Sequence, residues 1–188
     1  MNNSNHSNIL IIGGGCAGIS VATRLKSLKS DLSISIIEPS EKSLYQAAWT
    51  LVGAGAYDVN STIKPMSSVM PSYVNWIKEY AESFSPESNS VKTSSGEYSY
   101  DYLVVCPGLK INFDGVAGLK ETLGKNNVCT NYSSDMAVYT WECLKNLQGG
   151  NLLFTEPPMP IKCAGAPQKI AYLAADHLKK KGALKAVS

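Results

Sequence analysis

The sequence has no apolar run approaching the roughly 18 residues that a helical bilayer span requires, so no stretch is expected to cross a membrane. It has no surplus of either charge: 17 Lys and Arg face 15 Asp and Glu across 188 residues, a formal net charge of +2 with both signs scattered. A nucleic-acid binder normally shows a concentrated basic excess, so no nucleic-acid partner is expected. There is no C-x-x-C pair. The five cysteines (Cys16, Cys106, Cys129, Cys143, Cys163) are odd in number and widely spaced, which argues against a secreted disulfide framework or a zinc knuckle. They read as mostly buried thiols of a reducing compartment. Histidine is scarce; His6 and His177 have no metal-ligand company, and no metal site is expected. The opening MNNSNHSN lacks both the apolar core of a secretory signal and the arginines of a transit peptide. Residues 1–8 are expected to be disordered, with structure beginning at Ile9.

What is present is 44% hydrophobic and 17% charged residues, enough for an ordinary core in one or two domains. NILIIGGGCAGIS (8–20) runs apolar residues straight into glycines, the pattern of a short buried strand ending in a tight turn. Ala17, Val21, Ala22, Leu25 and Leu28 then recur at helical spacing, with Arg24, Lys26 and Lys29 on the other side. LSISIIEPS (32–40) is a second strand stopped by Pro39, completing a β-α-β unit with parallel strands. Residues 49–72 read as irregular with one short helix. VNWIKEYA (74–81), the piece around Val91 and YSYDYLVVCPG (98–108) read as further strands, a small antiparallel addition.

Gly108 to Gly118 reads as a passage out of this first domain, giving boundaries of 9–110 and 111–188. In the second part Ser134 is expected to cap a helix over 135–147, with Met136, Tyr139, Cys143 and Leu147 on one face. NLLFTE (151–156) is expected as a strand and 167–181 as a helix, with Pro167 in its first turn, Lys179 to Lys181 in its last and Gly182 beyond. One strand and one helix cannot bury both faces of a sheet, so the second α/β domain reads as only begun.

Gly13, Gly15 and Gly18 form G-x-G-x-x-G between that first strand and helix. The first glycine permits the turn, the second lets backbone N–H groups approach a pyrophosphate, and the third lets helix pack on strand. Glu38 stands twenty residues past Gly18 at the end of the next strand, where a carboxylate can hold ribose hydroxyls and repel a 2′-phosphate. FAD or NAD is therefore expected over NADP, and periodicity does not choose between them. Glycine-rich turns are common; strand, helix and Glu38 in register carry the reading.

The second strand-to-helix junction reads EPPMPIKCAGAP (156–167). Prolines stand where glycines would cradle a second pyrophosphate, and proline offers no N–H. Cys163 lies at the positive end of the following helix, between Lys162 and Lys169, and both effects favour thiolate over thiol. It is a candidate nucleophile, with an inert packing cysteine the equal alternative. The other four cysteines read as inert, though Cys16 lies inside the glycine loop and can touch a cofactor through its backbone. Trp49, Trp76 and Trp141 read as core, and Lys179 to Lys181 as a solvated helix end.

GGGCAG, the strand ending IIEPS, YQAAWTLVGAGA (45–56) and above all PIKCAGAPQKIAYL (160–173) resemble the sulfide:quinone oxidoreductase family, most strongly its mitochondrial-type branch. The resemblance implies an α/β flavoprotein: a Rossmann-like FAD-binding domain followed by the start of a second α/β domain. It implies oxidation of sulfide at a pair of redox cysteines beside the flavin, with electrons passing through FAD to a membrane quinone and sulfur to a small acceptor. On that likeness Gly13, Gly15, Cys16, Ala17 and Gly18 would hold the pyrophosphate and Glu38 the ribose. Gln46 would lie against the flavin, Ala81 against the adenine by its backbone, and Gly108 would complete the cofactor contacts. Cys163 would be the first redox cysteine.

Ala47 stands where the family has a proline after its Tyr-Gln pair. The second redox cysteine, the quinone pocket and the membrane-contacting helices belong to a C-terminal part for which this chain has no match. The location implied is peripheral, on the mitochondrial inner membrane or its bacterial counterpart. Two alternatives stand beside this reading: a related flavin-dependent NADH dehydrogenase, which the proline-rich loop disfavours, and an inactive piece with residual nucleotide binding.

Overall fold

The computed structural model describes residues 5–188. The chain forms two compact units: Met1–Leu44 with Lys64–Gly108, and Tyr45–Ile63 with Leu109–Ser188.

In the first unit, β1 (His6–Ile12) leads through the glycine turn into α1 (Cys16–Leu28) and back into β2 (Ile34–Ile37). β3 (Lys42–Leu44) and β4 (Ile63–Pro65) pair in a separate two-stranded sheet. After α3 (Met66–Val69; α2 is in the second unit) come β5 (Val74–Ile77), β6 (Ser83–Ser85), β7 (Ser90–Lys92) and β8 (Glu97–Val105). The main sheet runs β5-β2-β1-β8-β7-β6. β5, β2, β1 and β8 are parallel, whereas β6 and β7 join by antiparallel pairing.

β1 lies inside the sheet and is apolar on both faces, as a covered parallel strand must be. Its alternate residues feed two cores. Leu10 and Ile12 pack with Ile37, Ile77, Val91 and Tyr100 on one side. Ile9 and Ile11 pack with Ile34, Ile36 and Ala22 of α1 on the other. Leu28, which shares the apolar spacing of α1, is 67% exposed at its last residue.

Order begins earlier than Ile9. The polar residues before it are paired side chain by side chain: His6 Nδ1 with Ser99 Oγ at 2.9 Å, buried Ser7 Oγ with Ser35 Oγ at 2.5 Å, and Asn8 Nδ2 donating to Asp101 at 2.8 Å. A polar composition therefore does not make residues 5–8 disordered, since β2 and β8 supply matching polar partners. The rest of that expectation, residues 1–4, lies outside the described residues.

The second unit is helical: α2 (Trp49–Gly53), α4 (Leu119–Thr122), α5 (Ser134–Asn146) and α6 (Ala166–Lys180). Trp49 and Val52 of α2 bury against Ala137 and Val138 of α5. This contact draws Tyr45–Ile63 out of the first unit, so a continuous 9–110 domain is not what forms. Leu144 of α5 packs with Ala174 and Leu178 of α6, and Trp141 and Leu147 join them. The buried face of α5 is thus Ala137, Trp141 and Leu144 rather than the expected Met136, Tyr139 and Cys143. Its N-cap is Ser133, without a side-chain bond, so Ser134 is inside the helix rather than capping it. Pro167 and Gly182 stand as expected, Gly182 at φ +74.

The strand expected over 151–156 does not form. Among the described residues pairing stops after its start, with the bridge Gly150 to Val187 and Leu152 N–H donating to the Ser188 carbonyl at 2.9 Å, and Leu153 is 84% exposed. An apolar run becomes a strand only where neighbouring backbone pairs with it. Nor are the thiols mostly buried: Cys16 and Cys163 are exposed, the other three half-buried, and all five are free.

Candidate functional site

In the first unit the glycine loop is fixed from both sides: Gly13 N–H donates to the Ile37 carbonyl at 2.9 Å, and Cys106 N–H to that of Ile12 at 2.7 Å. Gly13 adopts φ +99, and a Cβ there would lie 2.1 Å from the Cys106 carbonyl oxygen. One on Gly18 would lie 1.9 Å from the Gly13 carbonyl oxygen. Both positions exclude any side chain. Gly15 is different: a Cβ there would meet nothing within 4 Å, and Gly15, Cys16 and Ala17 are exposed. Gly15 is the N-cap of α1 and no side chain caps that end. The loop therefore presents an open helix N-terminus, where unpaired N–H groups and the helix dipole favour an anion.

Glu38, at the end of β2, is held against this loop. Gly14 N–H donates to its Oε2 at 2.8 Å and Ser40 N–H to its Oε1 at 2.7 Å. Each carboxylate oxygen keeps a further lone pair, so ribose hydroxyls can still be accepted. Two residues here escape sequence reasoning. Gly14 allows the approach of Glu38; its signal is that the glycine run is unbroken, with Gly14 filling the variable position between Gly13 and Gly15. Trp76, expected only as core, donates from Nε1 to the Glu38 carbonyl at 2.8 Å. Of the remaining positions, Gly108 is exposed at φ +75 and Ala81 is half-buried against the Leu10–Ile12 core.

In the second unit Cys163 is exposed, at φ +58, and its carbonyl accepts from Ala166 N–H at 2.9 Å where the chain turns into α6. Lys169, one turn into α6, donates from Nζ to Cys163 Sγ at 3.4 Å. The sulfur thus lies beside an ammonium and just before the N-terminus of α6. Lys162 does not share this task. Its Nζ donates to Gln46 Oε1 at 2.5 Å and lies 6.0 Å from the Trp49 ring centroid. Burial holds its ammonium below the usual lysine range, with the charge of Cys163 opposing. Tyr132 steadies the loop, its hydroxyl donating to the Lys162 carbonyl at 2.6 Å. Burial first, then the negative charges of Cys163 and Glu156, push that phenol above its ordinary range. Neither the hydroxyl nor the Lys162–Gln46 bond has a sequence-local signal.

The structure thus gathers Gly13, Gly15, Cys16, Ala17 and Gly18 with Glu38 in one unit, and Gln46 with the Lys162–Cys163 loop in the other. Residues 7–136 match the family model of the pyridine nucleotide-disulphide oxidoreductases. The chain belongs to that family. It is 46% identical over 181 residues to the mitochondrial sulfide:quinone oxidoreductase of Dictyostelium discoideum and 41% over 179 residues to that of Mus musculus. Each alignment covers 95% of this chain and 40% of the relative, so the chain spans about two fifths of their length. The X-ray structure of the sulfide:quinone oxidoreductase from Aquifex aeolicus is similar at a TM-score of 0.73 and 27% identity, over 98% of this chain and 42% of that one.

Proposed function

We propose that this chain carries the FAD-binding loop and one redox thiol of a sulfide:quinone oxidoreductase. The observation that carries the reading is Cys163, an exposed thiol with the Lys169 ammonium at 3.4 Å, in a loop whose prolines suit no second dinucleotide. FAD fits the first unit because the Gly15 side of the loop is open and uncapped while Glu38 is pre-positioned beside it. When bound, FAD would supply the acceptor for the electron pair taken from sulfide, from which quinone would draw it. Gly13 and Gly18 keep the loop tight, backbone N–H groups of Gly15, Cys16, Ala17 and Gly18 meet the pyrophosphate, and Glu38 takes the ribose. Ala81 and Gly108 complete the cofactor contacts, and Gln46 holds Lys162 beside Cys163. Cys163 receives the sulfur, which a small acceptor then removes.

The names of the relatives support a mitochondrial location, and the quinone substrate puts the reaction at the inner membrane surface. Among the described residues no helix is long and apolar enough to cross a membrane.

The test is anaerobic addition of sulfide to the FAD-loaded chain, followed by absorbance. Sulfide should bleach the flavin in the unsubstituted chain and leave it oxidised in Cys163→Ser, with both retaining cofactor. Bleaching in Cys163→Ser removes the thiol from the reaction. Bleaching by NADH alone would favour a flavin-dependent NADH dehydrogenase, and failure to retain flavin an inert nucleotide-binding piece.

A further inference from the structure

A pair of sulfurs lies in the helical unit, on a cavity that Pro160, Ile161 and Lys162 of the loop before Cys163 also line. Asn126 and Asn127 both adopt left-handed backbone, φ 51 and 63, which asparagine tolerates better than most residues. That turn brings Cys129 back toward α5, which carries Cys143. Asn127 ties the two together: its carbonyl accepts from Cys129 Sγ at 3.5 Å, and its side-chain Oδ1 accepts from Cys143 Sγ at 3.7 Å. Its N–H donates to Tyr139 Oη at 3.2 Å, fixing the turn to α5. Both sulfurs therefore converge on the same residue. Both line a cavity of about 1230 Å³, together with Asn127, Tyr139 and Thr140, and both are half-buried. A small molecule entering that cavity meets two convergent thiols.

We infer that Cys129 and Cys143 form a second dithiol centre, which reacts with a low-molecular-weight disulfide and closes to an intramolecular disulfide. The order of events follows from their surroundings. Burial, and then the neighbouring Cys143, push the Cys129 thiol up to about 12, so Cys129 keeps its proton and is the second sulfur to react. Cys143, as thiolate, attacks one sulfur of R–S–S–R, forming a mixed disulfide and releasing RS⁻. Cys129 then gives its proton to the second leaving thiolate as its sulfur attacks Cys143 Sγ, expelling that group. The proton first lost by Cys143 neutralises the first RS⁻. Two protein thiols lose two electrons and two protons in total, and the disulfide becomes two molecules of RSH. Cys163 takes no part.

The probe is oxidised glutathione added to the reduced full chain, followed by proteolysis without reductant and mass spectrometry. The expected product is a Cys129–Cys143 linked peptide pair, lighter by two hydrogens, reversed by dithiothreitol and formed equally in Cys163→Ser. Cys129→Ser should instead stop with glutathione held on Cys143, whereas Cys143→Ser should take up little. Glutathione remaining on either thiol of the unsubstituted chain, or a linkage between Cys163 and any other cysteine in place of this pair, overturns the inference. Phenylarsine oxide, which needs two adjacent thiols, gives an independent measure on the unsubstituted chain. One arsenic bridging Cys129 and Cys143 is expected with Cys163 left free for alkylation, and its absence counts against the centre.

Discussion

Gly14 and Glu38 are packed against each other: the glycine N–H donates to Oε2 at 2.8 Å, and a Cβ on the glycine would lie 2.8 Å from both Cβ and Cγ of the glutamate. The middle glycine of the run is therefore fitted to the acid and not to the phosphate.

Gly14→Ala consequently pushes Glu38 away from the loop. Overpacking of this kind costs about 1–3 kcal/mol, and denaturant titration is expected to return a loss in that range. Binding of dinucleotide should weaken in addition, because the carboxylate moves from its ribose-facing position. Unchanged stability together with unchanged FAD affinity, read by quenching of flavin fluorescence, would show that Glu38 does not depend on its glycine neighbour.

Lys169→Met removes the ammonium at Cys163 while keeping most of the side chain's length. Exposed charge pairs contribute about 0.2–1 kcal/mol, so alkylation of Cys163 by iodoacetamide at fixed neutral pH should slow, by up to roughly fivefold. The gap between the two proteins should close in concentrated salt, where such attractions are screened. Lys162→Met should alter this rate less, since its Nζ is engaged by Gln46. An equal effect of both substitutions would mean that the distance from Lys169 to sulfur does not govern reactivity.

Cys129 gives a pH dependence of definite sign. Its thiol is raised from 9.0 to about 12, so between those values the folded chain holds a proton that the unfolded chain has released. Where the folded state binds more protons, stability falls as pH rises. The decline in urea midpoint across that window should be shallower in Cys129→Ser than in the unsubstituted chain, and the two curves should run parallel below pH 9.0. Identical slopes throughout would contradict the burial of this thiol.

The β1–turn–α1–β2 unit was legible because each of its signals is local: an apolar run, glycines at fixed spacing, and an acid at the end of the next strand. The early start of β1 was not, because Ser7 and Asn8 look like a solvated tail until Ser35, Ser33 and Asp101 are brought beside them. The same holds for Trp49, whose burial depends on Ala137, far along the chain. Sequence adjacency misassigned one of the two lysines. Lys162 precedes Cys163 directly yet turns to Gln46, while Lys169 reaches the sulfur from one turn into α6. NLLFTE has the composition of a strand, but composition cannot supply the neighbouring edge that a strand needs.

The path of Tyr45–Ile63 has a practical corollary. Because this stretch leaves one unit, joins the other and returns, no single scission of the backbone frees either half with its complement of residues. Ending the polypeptide at Gly108 would strip Trp49 and Val52 of the α5 surface that covers them and leave a greasy, aggregation-prone loop on an otherwise intact sheet. Each half needs both of the segments that build it.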